Sequence, residues 1–296
     1  MAAASAMIGR TARTRFISHT PVGRSLQIWH QRRQREPVLL QKRYNPDVDD
    51  LLRATARAEE RHFWFRGFRW FVGPVIQRAL HGQSHARILD CGCGTGANLA
   101  LFERCGTSYG FDRSEVGLYI GRQLNRRRLV RASVTAVPFA SEAFDLVTSF
   151  DVLYSLETPD ERAAVAEMFR LARPGGHVLI NVAAMDVLRG DHSVLSHEVR
   201  RYTRQTLSQL VTNAGFVIER LTYTNAALFL PLAVVRTLHR RRGLAREAEA
   251  QREISIPASP VNAAMSAVLF LESVWLRRFD SPFGSSLLCL ARKPLA

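Results

Sequence analysis

The sequence has few cysteines, four in 296 residues, and they do not form a disulfide framework. Two of the four, Cys91 and Cys93, lie within one glycine-rich stretch, where a small side chain fits. Small secreted domains are usually stabilised by several disulfides. The cysteine pattern therefore argues against that class of protein and indicates a reducing compartment.

Long apolar runs are absent as well. A membrane-spanning helix needs about 20 consecutive apolar residues, whereas the longest run, 226–235, is shorter and contains Pro231. The N-terminus lacks the apolar core of a secretory signal, and it is rich in arginine and poor in acids, as mitochondrial transit peptides are. We expect a cytoplasmic protein, with the mitochondrial matrix or the periphery of a membrane as alternatives.

Acidic residues are scarce near the N-terminus. The whole chain carries a net charge of +15, and residues 1–43 contribute +8 of it, with nine basic residues against Glu36 alone. Such an excess suits nucleic acid, an anionic membrane surface or a solvated tail. Because 1–43 show no sustained periodicity, we predict a basic, flexible extension there and a folded domain over 44–296.

The stretch 88–98 organises the rest of the chain. Two apolar residues precede Asp90, and Gly92, Gly94 and Gly96 then alternate with small residues before a helix-like segment at 99–104. Glycine tolerates positive φ angles and lets backbone N–H groups approach a ligand closely. The stretch predicts a buried strand, a tight turn that binds a nucleotide, and the start of a helix.

Two classes of nucleotide site fit this turn. Gly92, Gly94 and Ala97 satisfy the dinucleotide fingerprint G-x-G-x-x-G/A, and Asp112 follows about 20 residues later, where an acid would bind a ribose. An NAD(P)-dependent oxidoreductase is therefore one interpretation of these residues.

The phase of the glycines and the later segments favour the other class. The spacing D-x-G-x-G-x-G from Asp90 resembles the first motif of the class I S-adenosylmethionine-dependent methyltransferases, small-molecule type. The resemblance continues in order through 110–114, 137–139, 144–153 and 173–176, and covers about 59–223. It implies an α/β fold: a Rossmann-like, seven-stranded, mostly parallel sheet with helices on both faces, an antiparallel last strand and a helical insertion before it.

The resemblance also implies a set of residues that bind S-adenosyl-L-methionine. The expected contacts are the glycine turn with its preceding acid, the acid after strand two, the end of strand four and an arginine that can pair with a carboxylate in bidentate fashion: Asp90, Gly92, Cys93, Gly94, Gly96, Asp112, Phe150 and Arg66. Ser133 stands where many relatives have an aspartate that contacts adenine, so we expect a hydroxyl or backbone groups to serve there. Arg66 closes an aromatic segment, 62–66, which in some relatives lies over the cofactor.

Local signals place the later elements. Thr158 and Glu161 have the spacing of a capping box, and Thr203 and Gly215 are expected to begin and end a further helix. Strands are predicted at 216–223 and 285–291. The segment between them, about 225–284, carries two apolar stretches flanked by arginines, which predicts an inserted helical lid; a membrane-surface or dimer role is the alternative.

The loop after strand five, 184–202, is rich in titratable groups. Histidine is a common general base, and His192 and His197 are our candidates for that role, although surface or structural histidines would look the same. A zinc motif H-E-x-x-H is incomplete because Arg201 stands at its last position, so no metal is predicted. Arg200 and Arg201 either bind an anionic substrate or include a structural partner for an acid on a neighbouring helix.

These features predict an S-adenosylmethionine-dependent methyltransferase acting on a small-molecule or lipid-like acceptor. The alternatives are the oxidoreductase, an RNA or DNA methyltransferase, and a binder without turnover. Nucleic acid is disfavoured because strand four lacks a Pro-Pro-aromatic signature and no Pro-Cys nucleophile is present. The expected partners are a small molecule and, through the insertion, a membrane surface.

Overall fold

The computed structural model describes residues 47–189, 193, 197–241 and 255–295. Its helices are α1 (Asp47–Ala58), α2 (Phe63–Ala79), α3 (Glu115–Gln123), α4 (Thr158–Leu171), α5 (Arg204–Asn213), α6 (Phe229–Arg241) and α7 (Ser259–Trp275). Its strands are β1 (Ala86–Cys91), β2 (Gly106–Asp112), β3 (Leu129–Arg131), β4 (Phe144–Phe150), β5 (Ala172–Ala183), β6 (Val217–Thr224) and β7 (Ser286–Arg292).

The seven strands form one sheet in the order β3-β2-β1-β4-β5-β7-β6. Strands β1 to β5 pair in parallel, and β7 runs antiparallel between β5 and β6. The predicted Rossmann-like fold with a reversed last strand is confirmed. The strand order reverses between β1 and β4, and ligands of open α/β sheets bind at such a point, beyond the carboxyl ends of the strands.

Helices cover both faces of the sheet, as the nearly continuous apolar character of β4 predicts. Leu146 packs in a core with Val72 and Ile76 of α2. Its neighbour Val147 points to the opposite face and packs in a second core with Met168 of α4. None of the helices in the described ranges is long and apolar enough to cross a membrane.

Two local predictions were wrong. After the glycine turn the chain makes only a short 3-10 helix, Ala97–Leu101, and then turns into β2, whereas the sequence predicts a helix through 104. Helix α4 begins at Thr158, but its N-cap is Glu157 and no side chain caps it. The expected capping partner Glu161 is instead buried, where it accepts hydrogen bonds from Arg200 and Tyr202.

The C-terminal half follows the predicted order. Thr203 caps α5 through a capping box with Thr206, and Gly215 has a φ of +100° just after the helix ends. Helices α6 and α7 lie between β6 and β7, where the sequence predicts a helical insertion. The predicted N-terminal extension, 1–43, lies outside the described residues.

Candidate cofactor and acceptor site

The glycine turn after β1 has the conformation that its sequence predicts. Gly92, Gly94 and Gly96 have φ angles of +74°, +56° and +80°. A Cβ on Gly92 would lie 2.4 Å from Cγ2 of Val152, so no side chain fits there. The amides of Gly92 and Cys93 both donate to the carbonyl of Phe111 at 2.9 Å. These two amides are therefore used within the protein and do not point to a ligand, contrary to what the sequence predicted for the turn.

Asp112 lies at the end of β2, beside that turn. Its Oδ2 accepts a hydrogen bond of 2.8 Å from the Gly94 amide, and its Oδ1 accepts one of 2.8 Å from the Ser114 amide. Burial raises the pKa of the Asp112 carboxyl, while these amide bonds oppose the shift. An ionised carboxylate has about four lone-pair sites, so each oxygen can still accept a ribose hydroxyl.

Asp90 is buried at the end of β1. Its Oδ1 accepts a 2.7 Å hydrogen bond from Oγ1 of Thr148 on β4, and its Oδ2 has no partner within the part of the chain that the structure describes. Burial raises the pKa of Asp90 to about 7. Burial also raises the pKa of the Cys93 thiol, which packs against Gly110 on β2. Cys93 therefore fills space in the turn as a neutral thiol.

The other predicted cofactor residues lie around this turn or along α2. Phe150 is buried and makes an edge-on contact with Phe68, with ring centroids 5.0 Å apart. The Ser133 hydroxyl lies 2.9 Å from that of Thr135, just beyond β3. The Arg66 guanidinium lies 5.2 Å from the ring centroid of Trp70. The roles of these residues toward the cofactor stay predictions.

Helix α1 is fixed over the glycine turn, which the sequence did not reveal. The buried carboxylate of Glu59 accepts hydrogen bonds from Thr95 Oγ1 at 2.8 Å and from Arg126 Nη2 at 2.6 Å. Asp49 accepts a 2.6 Å bond from the Ser114 hydroxyl, beside Asp112. The two contacts attach both ends of α1 to the segments that carry the predicted cofactor residues.

A cavity of about 480 Å³ opens beyond the carboxyl ends of β4 and β5. Its walls come from the aromatic segment 62–65, the residues after β4, the loop after β5, helix α6, the segment before α7 and the start of β7. A mostly apolar pocket with a few polar groups is typical of a small-molecule site. The aromatic segment thus contributes to this cavity, and its Phe63 and Phe65 also pack against two small buried clusters, one with Leu269 and one with Ala54 and Ala58.

Asp151 lies in this cavity, directly after β4, and sequence analysis did not single it out. Its Oδ1 accepts a 3.0 Å hydrogen bond from Nδ2 of Asn181 on β5, and its amide donates to the Asn181 carbonyl at 2.9 Å. The residue has a φ of +59°, which is uncommon for a residue with a side chain. Asp151 is exposed to the open cavity, and desolvation by the surrounding walls raises the pKa of its carboxyl to about 7. The sequence signal that could have identified Asp151 is its position as an acid immediately after a buried strand.

The loop after β5 faces the cavity through a buried ion pair. Arg201 binds the Glu198 carboxylate in bidentate fashion, with Nε–Oε2 and Nη2–Oε1 distances of 2.8 Å and 2.9 Å. Glu198 and Arg201 line the cavity, whereas the half-buried His197 is not among its lining residues. His192 lies outside the described residues. The role of either histidine as a general base stays a prediction.

The sequence allows one of Arg200 and Arg201 to pair with an acid on a neighbouring helix, and Arg200 is that residue. Its Nη1 lies 2.7 Å from Oε2 of Glu161 on the neighbouring helix α4, and its Nη2 donates to the Leu156 carbonyl at 2.9 Å. Glu161 also accepts a hydrogen bond from Tyr202. Residues 200–202 are thereby held against α4 on one side, while Arg201 turns toward the cavity.

His62 supplies a further polar group in the cavity wall. As the N-cap of α2, its Nδ1 accepts a 3.1 Å hydrogen bond from the Trp64 amide. Burial lowers the pKa of His62, which keeps the ring neutral near pH 7. A neutral ring that accepts at Nδ1 carries its proton on Nε2, so His62 is a donor.

The sheet order, the glycine turn after β1 and the acid after β2 define a Rossmann-like α/β fold, and a cavity opens beyond the carboxyl ends of β4 and β5. A family described as "Methyltransferase domain" matches residues 89–180, the span from β1 to β5. A demethylmenaquinone methyltransferase of Geobacillus sp. is 29% identical over 184 residues, which cover 50% of this chain and 78% of that protein. These matches support a class I S-adenosylmethionine-dependent methyltransferase.

Other relatives are similar over a smaller part of their length. A tRNA (carboxymethyluridine(34)-5-O)-methyltransferase of Arabidopsis thaliana is 37% identical over 124 residues, which cover 41% of this chain and 30% of that protein. The crystal structure of a putative sarcosine dimethylglycine methyltransferase from Galdieria sulphuraria shares the fold, with a TM-score of 0.54, 16% identity, and coverage of 84% of this chain and 99% of that one. The enzyme class is thus a methyltransferase and not an oxidoreductase, while the acceptors named for the relatives differ.

Proposed function

We propose that this enzyme transfers a methyl group from S-adenosyl-L-methionine to a small, partly apolar acceptor held in the cavity beside Asp151. The observation that carries the proposal is the cavity itself. Its volume of about 480 Å³ suits a small molecule. Apolar side chains such as Phe63 and Leu232 line one part, and the carboxylate of Asp151 lies in another.

The residues around the glycine turn fit the cofactor. Gly92 holds the turn at a φ of +74° with Val152 packed against it, and Asp112 offers two oriented carboxylate oxygens to ribose hydroxyls. S-adenosyl-L-methionine supplies, when bound, an electrophilic methyl group on a sulfonium. Asp90, Cys93, Gly94, Gly96, Phe150, Ser133 and Arg66 complete the proposed cofactor residues.

The cavity residues act on the acceptor. Methyl transfer is an in-line displacement, so holding the acceptor in the correct orientation supplies much of the rate. An acceptor hydroxyl or acidic carbon must also lose a proton, and a group with a pKa near 7 suits that task. Asp151, held by Asn181 and with its pKa raised to about 7, is our proposed base; His197 is the alternative base.

An RNA acceptor is the second candidate, because one relative is named as a tRNA methyltransferase. In this chain the cavity wall includes α6 and the segment before α7, so the acceptor must fit between the insertion and the sheet. That arrangement favours a small molecule over a polynucleotide.

The test is transfer of a radiolabelled methyl group from S-adenosyl-L-methionine into cell extract, followed by separation into organic-soluble, aqueous small-molecule and RNA fractions. We expect label in a small-molecule fraction with the wild-type chain, and less label with Asp112→Ala when the cofactor is supplied below saturation. Label confined to RNA would overturn the proposed acceptor class. Absence of label from every fraction, with cofactor binding intact, would overturn the proposed activity.

A further inference from the structure

Helix α7 exposes an apolar side to the solvent. From Val261 to Trp275 every exposed residue is apolar: Val261, Ala263, Ala264, Ala267, Val268, Phe270, Leu271, Val274 and Trp275. The polar residues of the same span, Asn262, Ser266, Glu272 and Ser273, are buried or half-buried against the protein. A helix on the surface of a globular protein normally shows the opposite arrangement.

Specific hydrogen bonds fix this orientation. The Asn262 side chain accepts a 2.9 Å bond from the Phe63 amide and donates one of 2.9 Å to the Arg61 carbonyl. Glu272 accepts bonds of 2.8 Å and 3.0 Å from the amides of Ala226 and Ala227. Turning the helix to bury its apolar face would break these bonds and leave buried polar groups without partners.

Helix α6 shows the same pattern beside α7. Its exposed residues up to position 238 are Leu230, Pro231, Val234, Val235 and Leu238. The inner sides of the two helices meet in one small core that contains Leu232, Met265 and Leu269. We call the exposed apolar residues of α6 and α7 the insertion face.

The insertion face has a basic rim. Arg277 and Arg278 follow α7, and Arg241 ends α6, all three exposed. Within 225–241 and 255–284 the acids are Glu272, which is buried, and Asp280, whose Oδ1 lies 2.8 Å from Nε of Arg220. Exposed charge around the face is therefore predominantly positive.

We propose that the insertion face docks onto the surface of an anionic membrane. Interfacial helices combine an apolar side with nearby basic groups, which attract anionic headgroups. Trp275 and Phe279 stack at the end of α7, with ring centroids 5.5 Å apart, and aromatic residues are enriched at membrane interfaces. A second copy of the chain fits less well, because a two-fold contact between these faces would bring together the three rim arginines of both copies, while Asp280 is the one exposed acid within 225–241 and 255–284.

Docking would place the acceptor cavity near the lipid. Leu232 and Arg236 of α6 and Pro257 before α7 belong to the cavity wall. An acceptor dissolved in the membrane could enter between these elements without crossing water. This route rests on the proposed function, whereas docking of the insertion face does not.

The test is co-sedimentation of the full chain with vesicles of phosphatidylcholine alone or mixed with phosphatidylglycerol. We expect strong binding to the anionic vesicles, and a partition coefficient at least about tenfold lower for Leu271→Glu, because a leucine is lost from the apolar boundary and a like charge is added. Leu271 is 67% exposed, and the matched control Leu295→Glu alters a leucine 73% exposed, far along the chain in the C-terminal segment. The control should bind as the wild type does. Far-ultraviolet circular dichroism and thermal melts establish that both variants fold.

Three outcomes would overturn the docking proposal. The first is that the wild type does not bind anionic vesicles, and the second is that Leu271→Glu binds them as strongly as the wild type. The third is that light scattering shows a wild-type dimer that Leu271→Glu converts to a monomer. Calorimetry with S-adenosyl-L-methionine on the same samples separates the two proposals. Cofactor binding without vesicle binding rejects docking alone, and vesicle binding without cofactor binding rejects the proposed function alone.

Discussion

The Asp112 carboxylate accepts a 2.8 Å hydrogen bond from the Gly94 amide, which joins the end of β2 to the glycine turn after β1. Since Ser114 orients the second oxygen in the same way, the carboxylate is held in place before a ligand arrives. Pre-organisation of this kind lowers the entropic cost of binding. Two motifs separated along the chain thus form one rigid site.

Gly92→Ala should destabilise the protein by about 1–3 kcal/mol, because alanine at a φ of +74° is strained and its Cβ would lie 2.4 Å from Val152 Cγ2. Urea unfolding without cofactor measures the change. Gly73→Ala on α2 is the matched control: no atom lies within 4 Å of its added Cβ. The control should be neutral or stabilising by up to about 1 kcal/mol. Equal effects of the two changes would contradict the described turn.

Arg200→Ala should destabilise the protein by about 3–5 kcal/mol, since it leaves the buried Glu161 carboxylate without its ion-pair partner. Arg173→Ala breaks a pair with Asp145 in which the arginine side chain is half exposed, and should cost less than about 1 kcal/mol. Chemical denaturation of both variants checks the contrast. Similar losses would show that Arg200 is a surface residue.

Asp90→Asn should change how stability depends on pH. The folded-state pKa of Asp90 is raised to about 7, above that of the unfolded chain, so the wild type loses stability as the pH rises from about 4 to 7. Asparagine keeps an acceptor for Thr148 but cannot ionise. The free energy of unfolding of the variant should therefore increase relative to that of the wild type by up to about 1.4 kcal/mol per pH unit in that window. If the stabilities of the wild type and the variant change in parallel from pH 4 to 8, the pKa of Asp90 is not raised in the folded state.

Asp151→Asn should reduce kcat by roughly 10²–10⁴-fold while leaving cofactor affinity unchanged, if proton removal is part of the reaction. Wild-type activity should rise with pH through about 7, as the Asp151 carboxyl ionises. His197→Ala is the comparison. A loss of turnover with His197→Ala and none with Asp151→Asn would show that the base is His197, in the loop after β5.

Sequence patterns predicted the parts of the fold that depend on local chemistry. The glycine turn, the acid after β2 and the Thr203 cap were predicted correctly because each has a short signature of its own, whereas the reversed last strand was predicted from the family resemblance. The alternation of buried strands and amphipathic helices then fixed the order of the elements. A resemblance across ordered motifs supplied the enzyme class.

The rest depends on contacts between distant residues. Glu161 has the spacing of a helix cap, yet Arg200 and Tyr202 bind it from a loop about 40 residues away, and no local pattern encodes that choice. Asp151 is significant only because Asn181 lies on the adjacent strand and the insertion closes the cavity around it. The sequence predicted a helical lid, with a membrane-surface or dimer role as the alternative, because periodicity does not show which side of α7 meets the protein.

The most direct test of the central claim is calorimetric titration of S-adenosyl-L-methionine into the wild type, Asp112→Ala and, as a control for loss of one exposed charge, Asp186→Ala. We predict binding by the wild type and the control, and a loss of about 1–3 kcal/mol in binding free energy for Asp112→Ala. That loss corresponds to roughly 5- to 150-fold weaker affinity. Unchanged affinity in Asp112→Ala, or wild-type protein that binds NAD(P) and not S-adenosyl-L-methionine, would contradict the account.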